Sequence, residues 1–165
     1  MGGKSFTVLL VEDNQAHAEL IMRGLEKSAK SCRVHRVANG DSALDYLLRR
    51  GDYADPTVSV RPDLVLLDLR LPRVSGFEVL NQIKQTESLK AIPVIILTTS
   101  AADSDIAKAY ECRANSYLIK PVGFHDFTHL VDNLARYWLD WNRRAWSTIS
   151  SRWDTERQRD EATTS

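Results

Sequence analysis

Four places in this chain carry residues able to do chemistry, and each closes an apolar run. Glu12-Asp13 follows Phe6–Val11, Asp68 follows Leu64–Leu67, Thr98 follows Ile92–Leu97, and Lys120 follows Ser116–Ile119. Three carboxylates brought to one place repel one another and need a cation. All-oxygen ligands suit a hard divalent ion, Mg²⁺, which keeps some of its own waters. The Lys120 ammonium adds a second, mobile positive charge, and the Thr98 hydroxyl adds a neutral donor. A metal ion, an ammonium and a hydroxyl together suit a phosphoryl group, whose transfer depends mostly on positioning and charge neutralisation. In that chemistry Asp68 is the nucleophile and forms an aspartyl phosphate, while Glu12 and Asp13 hold the metal. Taken singly each signal is ordinary: an acidic pair is commonly a helix-entry charge, and a lone lysine is commonly solvated. The weight lies in their joint appearance at successive strand ends.

The elements that must position these residues are readable from hydrophobic patterning. Leu64-Val65-Leu66-Leu67 is apolar without alternation, as expected of a strand covered on both faces of a parallel sheet. Phe6–Val11 has the same character. Ala16 to Lys27 has helical spacing, with Ala16, Leu20, Ile21 and Leu25 on one face and Asn14 as N-cap. Arg33–Val37 reads as a second strand, and Asn39-Gly40-Asp41 turns into a helix marked by Ala43, Leu44, Leu47 and Leu48. Residues Gly51–Pro62 form a long loop. Val74–Lys84 predicts a third helix, Ile92–Leu97 a fourth strand, Asp103–Cys112 a short helix and Ser116–Ile119 a fifth strand. A final helix starts at Phe124. Five strand–helix repeats predict an α/β fold, a doubly wound five-stranded parallel sheet with right-handed crossovers. Ligands of such sheets bind outside the carboxyl ends of the strands, where all four sets of residues fall.

Composition narrows the function classes. The 165 residues allow one domain with an extension. Lys+Arg and Asp+Glu are 22 each, so no global basic field points to nucleic acid or a membrane surface. Cys32 and Cys112 lack CxxC spacing and read as reduced thiols of a cytoplasmic protein. The first residues show no signal-peptide core, and Phe6 at the sixth position argues against myristoylation. Gly2-Gly3-Lys4-Ser5 lacks the spacing of a phosphate loop. His125 and His129 stand one helical turn apart without a visible third ligand, so a metal site there is not expected.

In combination, Glu12-Asp13, Asp68, Thr98 and Lys120 before Pro121 resemble the response-regulator receiver domains of two-component signalling, over about Phe6 to Leu134. The resemblance implies a flavodoxin-like strand order 2-1-3-4-5, with Asp68 as the phosphoacceptor and a sensor histidine kinase as donor. It implies that the backbone carbonyl of Arg70 completes the Mg²⁺ shell, that Thr98 and Lys120 hold the phosphoryl group, and that the Lys120–Pro121 bond is cis. Tyr117 matches the switch aromatic that rotates inward when the threonine moves toward phosphate. Such a protein signals rather than turns over substrate, with self-phosphorylation from a phosphodonor and slow self-dephosphorylation only. An aspartyl phosphatase is the alternative enzyme, but it wants a carboxylate two residues after the nucleophile, where this chain has Arg70. A non-phosphorylated scaffold has no reason to keep the acidic pair, Asp68, Thr98 and Lys120 together.

The receiver reading assigns residues 5–135 to the domain, 136–156 to a Trp-rich extension of the last helix and 157–165 to a polar tail expected to be disordered. Trp138, Ala145/Trp146, Ile149 and Trp153 recur at helical steps, with Trp141 beside them. An apolar stripe lying beyond its own domain marks a contact, and Trp138, Trp141, Trp146, Ile149 and Trp153 are the candidate contacts of a homodimer. The competing arrangement folds the extension back over its own domain. The extension is too short for a DNA-reading module with its own core, so no output domain is expected. The Gly51–Pro62 loop, Ile96–Ser100 and Tyr137-Trp138-Leu139 resemble the single-domain regulators partnered with bacterial phytochrome kinases.

Overall fold

The computed structural model describes residues 5–28 and 31–144. Five strands, β1 (Phe6–Val11), β2 (Cys32–Val37), β3 (Leu64–Leu67), β4 (Val94–Thr98) and β5 (Ser116–Ile119), form one parallel sheet in the order β2-β1-β3-β4-β5. Helices α1 (Gln15–Ser28), α2 (Gly40–Leu48), α3 (Gly76–Gln85), α4 (Asp103–Glu111) and α5 (Phe124–Ala135) connect and follow them. The expected architecture and strand order are therefore present.

The pleat sorts alternate residues of each central strand into two cores. Leu9, Val11, Val65, Leu67, Val94 and Ile96 face one layer with residues of α2 and α3. Val8, Leu10, Leu64, Leu66, Ile95 and Leu97 face the other with Ile21, Leu25, Phe127 and Val131 from α1 and α5. This double burial is why the strands read as unbroken apolar runs. β2 and β5 are the exceptions; they lie at the two sheet edges and are mostly half-buried.

Local chemistry sets the helix starts. Asn14 Oδ1 accepts from the His17 N–H at 3.0 Å, as expected of an N-cap. Ser75 and Glu78 form a reciprocal capping box, which starts α3 at Gly76 rather than Val74. The Gly51–Pro62 loop contains a 3₁₀ turn (Gly51–Tyr53) and is tied to the body by the Tyr46 hydroxyl, which donates to the Val60 carbonyl at 2.7 Å.

The last helix departs from expectation. After Ala135 it widens into a π-helical turn over Arg136–Trp141 and stops; Asn142 has extended backbone, and its N–H reaches back five residues to Tyr137 O at 2.7 Å. The change of pitch accompanies two consecutive large residues, Trp138 and Leu139, that both pack on the α1/α5 core. The chain then turns back beneath the sheet. Arg144 pairs with Asp63 at 3.4 Å and lies 4.9 Å over the Phe6 ring, at the amino ends of β3 and β1. A continuous helix through Trp153 is thus corrected, because it is interrupted at Asn142. Trp146, Ile149 and Trp153 lie outside the described residues.

Gly76 locks α3 against the strand end that matters most. A Cβ there would stand 2.2 Å from the Asp68 carbonyl oxygen and 2.6 Å from Leu69 Cα, both backbone. Helix propensity alone favours alanine over glycine by about 1 kcal/mol, whereas overpacking costs about 1–3 kcal/mol. Gly76→Ala should therefore destabilise the fold in urea unfolding. A stabilised variant would mean that α3 and the Asp68 loop are not in this close contact.

Candidate functional site

Glu12, Asp68 and Lys120 are each placed by the last rung of a strand ladder. The Glu12 N–H donates to Val37 O at the end of β2 (3.1 Å), the Asp68 N–H to Val11 O at the end of β1 (3.1 Å), and the Lys120 N–H to Thr98 O at the end of β4 (2.7 Å). The backbone after each strand is thus fixed by its neighbour, and the side chains converge on one rim.

Lys120 is the centre of the cluster. Its side chain is buried, and its ammonium pairs with Glu12 Oε2, with Asp68 Oδ2 at 2.9 Å and with His17 Nδ1 at 3.2 Å. Asp68 Oδ1 accepts the Arg70 N–H at 3.1 Å, and Glu12 Oε1 accepts the Asn14 N–H at 3.0 Å. Burial pushes the Glu12 carboxyl above the ordinary glutamate range, and the nearby Asp68 charge adds to this; the Lys120 hydrogen bond and charge offset it only in part.

Carboxylate oxygens of Glu12, Asp13 and Asp68 all lie within 4.8 Å of one another. Glu12 and Asp68 are buried while Asp13 is exposed, so the trio is closed on the protein side and open to solvent. That donor set fits a hard divalent cation that retains water. Thr98 is fully buried, and its Oγ1 has no hydrogen-bond partner among the described residues. A buried hydroxyl left without a partner costs free energy, and a ligand oxygen would relieve it.

Residues 8–132 match the response regulator receiver domain. The chain belongs to that family. It is 51% identical over 139 residues to the probable methanogenesis regulatory protein FilR2 of Methanothrix harundinacea, covering 84% of this chain and 86% of that one. It is 38% identical over 133 residues to the response regulator Rcp1 of Synechocystis, covering 81% and 88%. The Mn²⁺-bound structure of Rcp1 superposes with a TM-score of 0.80 at 37% identity, over 84% of this chain and 98% of that one. The phosphorylated cyanobacterial phytochrome response regulator RcpA gives 0.81 at 37% identity, over 86% and 99%.

Other receiver residues form a second network beside the rim. The Tyr117 hydroxyl donates to Ser100 O at 2.9 Å. The Ser100 hydroxyl donates to Asp105 Oδ2 at 2.5 Å, and the same oxygen pairs with Arg70 Nη2 at 3.1 Å. Burial raises the Tyr117 phenol above its usual range, against the hydrogen bond to Ser100.

Sequence reasoning missed Ser100, Asp105, Arg36 and His17. The Arg36 guanidinium, at the end of β2, donates to the carbonyls of Glu12 (3.1 Å) and Asp13 (3.3 Å) and so braces the acidic pair. A visible signal existed for His17, which occupies the first turn of the helix leading away from Glu12-Asp13. One expectation is overturned outright. No peptide bond among the described residues is cis, so Lys120–Pro121 is trans. Trans is the lower-energy form even before proline, by about 0.5–1 kcal/mol, and here Lys120 reaches both carboxylates without the cis form. His125 and His129 are exposed on α5.

Removing the ammonium would leave two buried carboxylates facing each other. Lys120→Met should cost about 3–5 kcal/mol at neutral pH, the range for stranding a buried charge. A carboxyl whose folded pKa is raised contributes stability below its ordinary range, and that stability is lost as pH rises through the folded value. The Lys120→Met deficit should therefore shrink as pH falls toward the carboxylate range. Urea unfolding of both proteins at neutral and acidic pH checks this; a deficit unchanged with pH would mean that Lys120 is not the counter-ion.

Proposed function

We propose that this chain is a phosphorylation switch in which Asp68 accepts a phosphoryl group from a phosphohistidine of a sensor histidine kinase. The observation that supports the reading best is the buried Lys120 ammonium held against Glu12 and Asp68, with the unpartnered Thr98 hydroxyl on the neighbouring strand. Asp68 attacks phosphorus, an O–P bond forms, and the P–N bond breaks with its electron pair returning to the imidazole, which leaves neutral because its other ring nitrogen already carries a proton. The ammonium of Lys120 transfers one hydrogen bond from the Asp68 carboxylate to a phosphoryl oxygen, and Thr98 donates to another. Glu12, Asp13, Asp68 and the Arg70 carbonyl would hold Mg²⁺, which when bound supplies charge neutralisation to the carboxylates and the phosphoryl group.

Movement of Thr98 toward phosphate would be read by Tyr117, whose hydroxyl sits on the Ser100 carbonyl two residues further on. Likeness to RcpA favours a bacterial phytochrome as the kinase, and both would act in the cytoplasm. Slow self-dephosphorylation would reset the switch, since Arg70 stands where a phosphatase wants a carboxylate.

The exposed Tyr137 and Trp141, 56% and 74% accessible, support a homodimer through the last helix. Arg144, Trp138 and Leu139 belong to the protomer's own fold, so the dimer contact would draw on Tyr137, Trp141 and the segment after Arg144. Light scattering should give a dimer for the full chain and a monomer for Trp141→Ser cut after Arg144. A monomeric full chain at every concentration would rule out the dimer.

The decisive variant is Asp68→Asn. With Mg²⁺ and phosphoramidate, the wild type should take up acid-labile phosphate stoichiometrically and the variant none. Stoichiometric uptake by Asp68→Asn would remove Asp68 from the role. Mg²⁺ alone should also raise wild-type stability, by about 2.7 kcal/mol at a hundredfold excess over Kd, and Asp13→Asn should abolish most of that gain.

A further inference from the structure

The third partner of Lys120 is not part of the acidic cluster. We propose that His17 is a positioning residue for phosphorylation: its neutral imidazole, through Nδ1, holds the Lys120 ammonium at the point where a phosphoryl oxygen arrives. This rests on the function proposed above.

An ammonium has three N–H donors and no lone pair. Two of the donors of Lys120 go to Glu12 Oε2 and Asp68 Oδ2, and the third faces His17 Nδ1 at 3.2 Å. With the Lys120 side chain buried, a third donor without an acceptor would be costly. Nδ1 must accept here, so the ring is neutral and carries its proton on Nε2. The backbone N–H of His17 is capped by Asn14 at the start of α1, and its ring packs edge-to-face with Phe127 of α5 at 5.5 Å and 88°.

The three acceptors are not equivalent once phosphate arrives. The Asp68 carboxylate becomes an acyl phosphate, a mixed anhydride, and a phosphoryl oxygen competes for the ammonium. Glu12 would be shared with Mg²⁺ when the ion is bound. His17 is neutral and no metal ligand, so it retains its hydrogen bond while the other two are exchanged. A neutral acceptor also leaves the full positive charge of Lys120 available to the phosphoryl group.

The charged groups facing His17 are Lys120 after β5, Asp68 after β3 and Asp13 after β1. Glu19, Arg23 and Lys27 of α1 and Asp132 of α5 line the same groove. Burial pulls the His17 pKa below the ordinary histidine value, Lys120 pulls the same way, and Asp68 and Asp13 oppose them. The ring is therefore neutral at neutral pH. Protonation at lower pH turns the acceptor into a donor and sets cation against cation.

The test compares initial rates of phosphorylation by phosphoramidate, with saturating Mg²⁺, between about pH 5.5 and 8 for wild type, His17→Gln and His17→Leu. Wild-type rate should fall on the acid side as His17 protonates. His17→Gln supplies an amide oxygen that accepts without titrating, so it should keep the rate near about pH 7.5 and lose that acid limb. His17→Leu should be about tenfold slower near pH 7.5, the scale of one hydrogen bond to a charged group. In the metal-free protein, ¹⁵N spectra should show His17 Nδ1 unprotonated, and Lys120→Met should raise the His17 pKa. Equal rates and identical pH profiles in all three proteins, or a ring protonated at Nδ1 at neutral pH, would overturn the role of His17 alone. A wild type that takes up no phosphate would instead defeat the functional reading, and this proposal with it.

Discussion

The molecule is organised by one buried ammonium. Lys120 enters a rim where Glu12 and Asp68 are both withdrawn from solvent, and it bonds to both. Neither carboxylate could stay charged there alone, since desolvation of an unpaired ion costs several kcal/mol. Neither could the ammonium. The three groups are tolerable only together, and two of the three partners of Lys120 are also metal-ligand candidates, one of them the proposed phosphoacceptor. A structure that holds a cation so close to a potential phosphoryl acceptor is already charged for the transferred group. The candidate metal-ligand trio, the Thr98 hydroxyl without a partner among the described residues and the His17 ring all take their meaning from that ammonium.

The fold exists, in effect, to bring residues 12, 68 and 120 to one point. Parallel strands send every carboxyl end to the same side, and the order β2-β1-β3-β4-β5 puts Glu12 and Asp68 on adjacent strands. Inter-strand hydrogen bonds then continue one residue past the strands at Glu12, Asp68 and Lys120, so each backbone is anchored before its side chain turns to the rim. Two apolar layers, packed on alternate faces of β1, β3 and β4, make those anchors rigid. Gly76 brings α3 against the Asp68 backbone from below.

Much of this was legible in the residues. Unbroken apolar runs such as Leu64–Leu67 reveal double burial directly, and a polar residue closing such a run can only lie at a strand end. The contacts that were not legible are those that join distant segments through side chains. His17 and Lys120 meet across 103 positions, and no local pattern announces the meeting. The Arg70–Asp105–Ser100–Tyr117 chain likewise crosses three connections. Helical spacing of tryptophans misled in another way: periodicity reports which residues would share a face, not whether the helix continues. Packing of both Trp138 and Leu139, followed by capture of Arg144 at Asp63, turns the chain out of that helix. The bond before Pro121 is trans, the form favoured even before proline, and Lys120 reaches both carboxylates with it.

Metal and phosphoryl group should be felt as one ligand pair at this rim, because the same carboxylates and the same ammonium answer to both. Calorimetric titration of Mg²⁺ into the wild type, with and without beryllofluoride as phosphoryl mimic, measures that directly. The account predicts that beryllofluoride tightens Mg²⁺ binding and that Mg²⁺ tightens beryllofluoride binding by the same factor. Mg²⁺ affinity unchanged by beryllofluoride in the folded protein would contradict it.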